Sequence, residues 1–509
     1  MSANLGWGKK PRSTFDTVAA VLTSCLAAFA GVVHADSPIP GFSYFLADPL
    51  KTRPAVLDTG AILPGDTIAT QCLPSTLPEV LNLYQAVEIA ICNNAQLKLT
   101  WASIKLQAGA AGEARSTYLP TMSATLNRLR TQTSFPDGQS QSTLVNGNAV
   151  NVALNWRLYD FGTRAANRRA ADSLLLAALL HHDAQLQTTL SATIQAYFDV
   201  QTAHATWLAR EENHQIASDT LLSAERRERL GAVSRSDTLQ ATTALAKASL
   251  EKNRAESAYR KALATLMYTM GTPFKSEFRI EEENDIVNDP LELDTLIAQQ
   301  AREINDRLTE AKQSHPEILA AREEWRAALS RVTSTQAEGM PTLDATGNYY
   351  QNAYPGQGLS ATRSRINTIG IAVNIPIFDG FSRGYKIRQA QAQAEQRQRQ
   401  AEDTEHRILG EVVKAHADAN ASNANLQASN ALLQAALQAQ ATTRRRYDKG
   451  AADIIEILTT QQALADARQE RIRTLAEWRS TRLRLMASIG VLGMQSIASA
   501  REVQKPVRW

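Results

Sequence analysis

One stretch of the chain constrains the fold more than any other feature. Residues 163–230 contain neither glycine nor proline and are rich in Ala, Leu, Gln, Glu and Arg. Inside a helix, proline costs about 3 kcal/mol and glycine about 1 kcal/mol relative to alanine, so their absence predicts one continuous helix. At about 1.5 Å per residue this helix would be roughly 100 Å long, too long for the interior of an ordinary globular domain.

The sequence also contains two copies of one pattern. All 17 prolines lie outside two windows, residues 137–272 and 377–505. Tyr118-Leu119-Pro120-Thr121 recurs as Gly339-Met340-Pro341-Thr342, where the numbering is shifted by 221. Other landmarks recur with the numbering shifted by 219: Asp160 and Asp379, Gly231 and Gly450, Gly271 and Gly490. Several landmarks at nearly one shift indicate a tandem duplication.

Each copy predicts the same order of elements: a helix, a β-hairpin, a very long helix, a glycine turn and a return helix. The predicted helices are 81–117, 163–230 and 234–270 in the first copy, and 291–337 with a break near His315, 382–449 and 453–489 in the second. The domain organisation that follows is a signal peptide (1–35), an N-terminal periplasmic extension (36–80), the first repeat (81–272), a linker (273–290), the second repeat (291–490) and a C-terminal tail (491–509).

The first residues are typical of an export signal. Lys9, Lys10 and Arg12 precede an apolar stretch at 18–33, and small residues at positions 33 and 35 predict cleavage before Asp36. An N-terminal membrane anchor and a lipoprotein signal ending at Cys25 are the alternatives.

Export of the protein would allow its cysteines to form a disulfide. With Cys25 removed, Cys72 and Cys92 remain in a compartment that permits disulfides. The pair is interpreted as a disulfide, with two buried thiols as the alternative, because spacing alone does not bring two Cα atoms into bonding range.

The strands of the two predicted hairpins indicate that the protein is embedded in a membrane. After the signal, the sequence contains no apolar run of the roughly 18 or more residues that a transmembrane helix needs. Segments 150–158 and 369–377 instead alternate apolar and polar side chains, as lipid-facing strands around a wet interior do. The residues predicted to face lipid are Val152, Leu154, Trp156, Ile371, Val373 and Ile375.

Four strands do not close a barrel, because about eight is the smallest closed transmembrane number. Strand arithmetic alone allows a dimer, a trimer or a tetramer. The alternative is that the hairpins pack on the core of a water-soluble protein.

Composition and motifs exclude other classes of function. The net charge is +3 on 509 residues, which argues against a nucleic-acid binder. We find no Walker loop, no H-E-x-x-H, no paired C-x-x-C and no G-x-S-x-G in the sequence. We therefore expect no catalytic residues, no metal site and no cofactor.

The duplicated layout, the Leu119-Pro120 and Met340-Pro341 strand starts, the Asp160 and Asp379 corners and the two glycine turns together resemble the TolC family of outer-membrane efflux and secretion ducts. The chain looks most like the outer-membrane component of type I secretion or multidrug efflux, including the branch that secretes adenylate cyclase toxin. The resemblance implies a mainly α protein with membrane β-strands. Its very long coiled-coil helices would form a periplasmic tunnel, and its four strands would contribute to a trimeric 12-strand barrel in the outer membrane. It also implies docking to a periplasmic adaptor protein and an inner-membrane ABC or proton-driven pump.

A candidate gate follows from the same glycine turns. Asp237 and Glu456 each lie six residues after Gly231 and Gly450, so the duplication keeps a carboxylate at equivalent places. The resemblance implies that these acids form a ring at the periplasmic entrance. It also implies that a tyrosine matching Tyr447 holds neighbouring helix pairs together and that the two glycine turns contact the adaptor. The sequence departs from the family at Ala452 and Thr459, where a basic and an acidic residue are expected. The alternative is that both acids are helix-start residues favoured by the macrodipole.

The function predicted from the sequence is therefore a passive outer-membrane duct with a gated periplasmic entrance, which exports a secreted protein or small toxic molecules. The alternative is a soluble periplasmic coiled-coil scaffold without transport activity.

Overall fold

The structure is a computed structural model that describes residues 48–52, 78–133, 143–274, 278–281, 304–352 and 364–492. The expected signal peptide, Cys25, Cys72 and most of the extension, linker and tail lie outside the described residues. The chain divides into two units, residues 1–53 and 54–509. In the first, the Asp48 carboxylate accepts hydrogen bonds from the backbone N–H and the hydroxyl of Thr52, at 2.9 and 3.1 Å.

The second unit contains eight described helices and six described strands. The helices are α1 (Leu83–Asn93), α2 (Ala95–Ser116), α3 (Thr163–Arg229), α4 (Arg235–Met270), α5 (Ile304–Ser314), α6 (Pro316–Ala337), α7 (Ser382–Asp448) and α8 (Ile454–Ile489). The strands are β1 (Val80–Leu81), β2 (Thr121–Thr133), β3 (Thr143–Tyr159), β4 (Arg279–Ile280), β5 (Thr342–Asn352) and β6 (Ser364–Asn374).

The element bounds confirm the duplication. Raising the residue numbers of α1 and α2 by 221 gives the bounds of α5 and α6, and raising those of α3 and α4 by 219 gives the bounds of α7 and α8. The two long helices have 67 residues each, which corresponds to about 100 Å at 1.5 Å per residue. Among the described helices, none is both long enough and apolar enough to span a membrane.

The helix predicted over 81–117 is wrong in one respect, because Asn94 divides it into α1 and α2. Asn94 has an extended ψ of 127°, and its side-chain oxygen caps α2 by accepting from the N–H groups of Gln96 and Leu97. His315 occupies the equivalent place between α5 and α6 with a ψ of 121°. Pro316 follows His315 and predicts that break from the sequence. The equivalent residue in the first repeat is Ala95, which does not predict a break after Asn94.

The long helices pack as coiled coils. Buried residues of α7 alternate at spacings of three and four, the heptad pattern of a left-handed supercoil: Ile408, Val412, Ala415, Ala419, Ser422, Leu426 and Ser429. Polar side chains bridge α7 and α8 along this seam, including Trp478 to Asn423 at 2.8 Å and Thr474 to Ser429 at 2.7 Å. Small buried residues let the helices approach closely while these bonds fix their register.

The four long strands form one antiparallel sheet in the order β2-β3-β5-β6, which agrees with the two predicted hairpins. Strand β3 begins before the alternating segment 150–158, because residues 143–149 already pair with β2. Ile375, expected in the last strand, lies beyond it, since β6 ends at Asn374. Pro376 supplies no N–H for a ladder and restricts the residue before it, which accounts for the early end.

Sequence reasoning missed a second, two-stranded sheet in which β1 and β4 pair in parallel. It adjoins the largest apolar core, where Leu81 packs with residues from α1, α3, α4 and α8. This core lies at the middle of α3, around Leu186, Leu190 and Tyr197. Two-residue strands carry too little alternation to be recognised in a sequence.

Candidate functional site

The candidate site lies where each long helix turns into its return helix. Gly231 and Gly450 have φ values of 68° and 74°, the left-handed conformation that glycine adopts without a steric penalty. The two turns use equivalent hydrogen bonds: the Ala232 N–H donates to the Arg227 carbonyl oxygen, and the Ala451 N–H donates to that of Arg446, both at 2.8 Å. The repeats therefore end in matching helical hairpins.

A contact between Arg227 and Tyr447 joins the two hairpins. The Arg227 guanidinium carbon lies 4.3 Å from the centre of the Tyr447 ring. Both terminal nitrogens of Arg227 donate to the Tyr447 backbone carbonyl oxygen, at 3.0 and 3.1 Å. A guanidinium over an aromatic face is attractive, and the paired hydrogen bonds fix its orientation.

Tyr447 is buried and packs with Ile454 and Ile457 at the start of the return helix α8. Burial raises the pKa of the Tyr447 phenol, the Arg227 charge lowers it, and the Asp237 carboxylate raises it. Asp237 and Tyr447 therefore lie close enough to interact electrostatically, although they belong to different repeats.

The two predicted gate acids occupy the first turns of their return helices. Asp237 forms a capping box with Ser234, in which each side chain accepts from the other's backbone N–H at 3.3 Å. Glu456 accepts from the Arg446 guanidinium at 2.5 Å, and its own N–H is capped by Asp453 at 2.7 Å. Both acids thus fit the helix-start interpretation as well, and their gate role stays a prediction.

Sequence reasoning missed Arg227, although a signal for it was present. Arg227 and Arg446 are equivalent when the numbering is shifted by 219, so the duplication preserves an arginine one turn before each glycine. The two side chains nevertheless make different contacts. Arg227 reaches the other repeat, whereas Arg446 pairs with Glu456 in its own hairpin.

At the opposite end of the long helices, the sheet presents one apolar face. Met122, Leu154, Gly347 and Ile369 are neighbours in a row that crosses all four strands. The edge strands are the most open, since Ile371 and Val373 are 71% and 61% exposed against 41% for Leu154. An apolar sheet face this exposed is unusual for a protein surface in contact with water.

Comparison with known proteins shows which family has this sequence pattern and fold. The sequence profile described as "Outer membrane efflux protein" matches residues 86–272 and 308–491. The chain belongs to the outer membrane efflux protein family. Protein CyaE of Bordetella pertussis is 32% identical over 424 residues, which cover 83% of this chain and 87% of that protein. Outer membrane protein TolC of Escherichia coli is 23% identical over 85% of this chain and 87% of that protein.

A solved structure shares the fold. The Campylobacter jejuni CmeC outer membrane channel aligns with a TM-score of 0.69 and 18% identity, covering 87% of this chain and 98% of that one. The TolC-like fold, the outer-membrane localisation and the export function predicted from the sequence are confirmed by this family membership. The soluble scaffold is therefore the wrong alternative. Members of the family are transport channels, not enzymes.

An open groove of about 820 Å³ runs between α4 and α8 of this efflux channel, directly after the glycine turns. Leu239 and Ile455 line it with exposed fractions of 58% and 57%. Lys247 and Asp466 add one charge of each sign at the groove. The groove is thus a shallow surface with apolar and charged parts between two helices.

The remaining predicted site residues are the cysteines. Cys92 lies in α1 and is disulfide-bonded. Its predicted partner, Cys72, lies outside the described residues, so the pairing itself stays a prediction. Among the described residues, no group of three or more His, Cys, Asp or Glu side chains is placed to hold a metal ion.

Proposed function

We propose that three copies of this efflux channel assemble into a homotrimer with one shared 12-strand barrel. The sheet of a single copy has two open edges, β2 and β6, and these edge strands run in opposite directions. An exposed strand edge in lipid leaves N–H and C=O groups unsatisfied, so the edges must pair with other strands. Pairing β6 of one copy with β2 of the next is antiparallel and continues the alternation around a closed ring. The implied barrel puts the exposed apolar face, including Val152, Leu154, Trp156, Ile371 and Val373, against lipid.

The hairpin ends form the gate of the periplasmic entrance. The Arg227–Tyr447 contact is the observation that supports this proposal, because it connects the α3–α4 hairpin to the α7–α8 hairpin. Asp237 and Glu456 bring negative charge to the same end of the helices. Three copies of each acid would concentrate a field that attracts cations.

The partners are a periplasmic adaptor and an inner-membrane ABC or proton-driven pump, which supplies the energy. The glycine turns at Gly231 and Gly450 and the groove between α4 and α8 are the surfaces offered to the adaptor. Exposed Leu239 and Ile455 give this groove the apolar contact area that helix docking requires. The chain itself carries no catalytic chemistry, and its cargo is a secreted protein or small toxic molecules.

Conductance measurements test the gate. Asp237→Asn combined with Glu456→Gln removes two charges per copy while Asn at 237 keeps a capping oxygen for α4. In planar lipid bilayers we expect the double variant to show higher single-channel conductance and weaker block by multivalent cations. Asp172→Asn, an acid on α3 about 85 Å from the turns by helix rise, is the matched control. Unchanged conductance and block in the double variant would remove the acids from the gate.

A further inference from the structure

The apolar face of the sheet changes its chemistry along the edge strand β2. Met122, Ala124 and Leu126 occupy this face near the helices, and Arg128 and Arg130 follow them towards the far end of the strand. Side chains of a strand alternate between the two faces of a sheet, so these five side chains share one face. Both arginine side chains are exposed. The face is therefore apolar near the helices and cationic at its far end.

The other edge strand, β6, has the same arrangement. The exposed Ile369 and Val373 lie on the apolar face near the helices, and Arg365 lies on that face further along the strand. The Arg365 side chain is exposed as well. Both edges of the sheet thus carry arginine at the end that is remote from the helices.

The arginines of the two edges lie at nearly one level. Counted from the helices, Arg130 is nine residues from the start of β2, and Arg365 is nine residues from the end of β6. A strand rises about 3.4 Å per residue and tilts by about 40° in a membrane barrel, so nine residues span roughly 23 Å across the membrane. The apolar band of such barrels is about 25 Å tall. Arg130 and Arg365 therefore reach its outer boundary, and Arg128 lies about 5 Å deeper.

Side-chain amides accompany these arginines. Arg128 is directly opposite Asn148 of β3, and Arg365 is directly opposite Gln351 of β5. Directly opposite side chains share a face and have Cβ atoms about 5 Å apart. The Tyr349 hydroxyl donates to Gln351 Oε1 at 3.1 Å, so the amide nitrogen is the group of Gln351 that remains to bind a ligand. Guanidinium and amide N–H groups are donors, which suits an anion.

Carboxylates are absent from this face of the described strands. Asp344 is the one acid among the described residues of the four long strands, and it lies on the opposite face, where Arg157 donates to it at 2.9 Å. A cation on the lipid-facing side of a barrel is strongly unfavourable at the bilayer centre and close to neutral near the boundary. Arginine side chains at that depth extend their charged ends to the headgroups.

We propose that Arg128, Arg130 and Arg365 bind the phosphate groups of the lipid in the outer leaflet of the outer membrane. This inference rests on the proposed barrel, because the barrel turns the apolar face towards lipid. The helices of this outer-membrane channel are periplasmic, so the far ends of the strands reach the outer leaflet. A guanidinium binds a phosphate through two parallel N–H···O bonds, and the neighbouring amides add further donors.

The proposed homotrimer brings the two arginine edges together. Strand β6 of one copy adjoins β2 of the next, so Arg365 of the partner subunit lies on the same face as Arg128 and Arg130 and at nearly the same level. Each junction between copies would then present three guanidinium groups. A lipid headgroup with more than one phosphate matches such a cluster better than the single phosphate of a phospholipid does.

Native mass spectrometry of the purified full-length protein in detergent tests this site. The probe is bisphosphorylated lipid A, and the matched ligand is the same lipid A after enzymatic removal of its phosphates. We expect the unsubstituted protein to bind the phosphorylated form at least roughly tenfold more tightly, because the acyl chains of the two forms are identical. Inorganic phosphate should not displace lipid A, since it lacks the chains that hold the headgroup at the membrane boundary.

A triple variant assigns the phosphate preference to the arginines. Arg128→Gln, Arg130→Gln and Arg365→Gln together should weaken binding of lipid A at least roughly tenfold and leave binding of the dephosphorylated form unchanged. A purely structural effect would weaken binding of both forms alike. The control variant replaces three exposed arginines of the return helices by glutamine and should bind like the unsubstituted protein: Arg254, Arg260 and Arg473.

The same spectra report the number of copies and the bound lipid, so they separate the two proposals. A phosphate preference that the triple variant loses and the control variant keeps supports the site. Several results on intact trimers would overturn the site and leave the barrel standing: equal binding of both lipid forms, loss of both forms in the triple variant, an equal loss in the control variant, an unaffected triple variant, or displacement of lipid A by inorganic phosphate. Monomeric protein that binds neither form overturns the barrel and the site together.

Discussion

The guanidinium of Arg227 lies 4.3 Å from the ring centre of Tyr447 and donates twice to its backbone carbonyl oxygen. Arg227 lies in the last turn of the long helix α3, and Tyr447 lies in the last turn of the long helix α7. Arg446, the duplicate of Arg227, instead pairs with Glu456 within a single hairpin. The two arginines are equivalent in the duplication, but Arg227 connects the two hairpins, whereas Arg446 stabilises the turn of its own hairpin.

Arg227→Met should weaken the connection between the hairpins while keeping a long apolar side chain over the Tyr447 ring. A cation–π contact and charge-assisted hydrogen bonds are together worth about 2 kcal/mol, so the closed arrangement should lose roughly thirtyfold in its equilibrium. We expect larger and noisier single-channel currents in planar bilayers. Tyr447→Phe is the control, because it keeps both the ring and the carbonyl oxygen and should behave like the unsubstituted protein.

Two outcomes would contradict this account of the gate. Unaltered currents for Arg227→Met would mean that the hairpins are held by other contacts. A large increase for Tyr447→Phe would assign the connection to the phenol hydroxyl, and not to the ring face and backbone carbonyl that Arg227 contacts.

The sequence revealed most of the architecture because its strongest signals are physical requirements. The absence of glycine and proline over 163–230 and the left-handed turns at Gly231 and Gly450 fix helix lengths and turns without reference to tertiary contacts. Asn94 was not recognised as a break because an asparagine inside a helical pattern is only mildly unfavourable. Its role depends on a distant contact, in which Asn94 Nδ2 donates to the Thr269 carbonyl at 3.0 Å.

The candidate gate was harder to predict for the same reason. The equivalence of Asp237 and Glu456 is visible in the sequence, because each lies six residues after its glycine turn. The contact of Arg227 with Tyr447, in contrast, joins residues 220 positions apart in the sequence. Alternation identified the apolar face of β6, and Pro376 accounts for the end of that strand at Asn374. Contacts between repeats are therefore visible only in the folded chain.

Gly271→Ala should destabilise the fold much more than Gly231→Ala. Both glycines have nearly the same left-handed φ, 66° and 68°, so both variants have a similar backbone cost of about 1 kcal/mol. A Cβ at 271 would lie 2.6 Å from the Asn93 carbonyl oxygen, whereas a Cβ at 231 meets nothing within 4 Å. We expect the steric conflict to cost Gly271→Ala about 2 kcal/mol more, measured as a lower midpoint for the loss of helical circular dichroism on heating. Equal midpoints would contradict the close approach of α4 to the α1–α2 break.

Peptide mapping should recover Cys92 joined to Cys72. Cys92 is disulfide-bonded in α1, and Cys72 precedes that helix by a short segment in the sequence. We expect digestion without reduction to yield one cross-linked peptide that separates into two on reduction. Recovery of Cys92 joined to Cys25 would contradict both the pairing and the predicted removal of the signal peptide.

Asp183 predicts a pH dependence of stability. Burial on α3 raises the pKa of the Asp183 carboxyl from 3.8 to about 6. An acid with a raised folded pKa stabilises the fold fully below its unfolded pKa, and this contribution is lost as the pH rises through the folded value. The neighbouring His182 acts in the opposite direction, because burial lowers its pKa and protonation of the unfolded chain below pH 6.5 reduces stability.

Asp183→Asn removes only the acidic contribution, so its effect isolates one of these two opposing trends. We expect the variant to be more stable than the unsubstituted protein by about 1 kcal/mol at pH 7.5, a value reduced for the partial exposure of the side chain, and equally stable near pH 4. Thermal unfolding of the detergent-solubilised channel across this pH range measures the difference. Asp199→Asn, an exposed acid on the same helix that accepts from Gln195, is the control and should show no such pH-dependent gain. A gain for Asp183→Asn that is constant from pH 4 to 7.5 would show that the substitution acts through packing and not through the charge, because only a titrating carboxylate gives a difference that vanishes in acid.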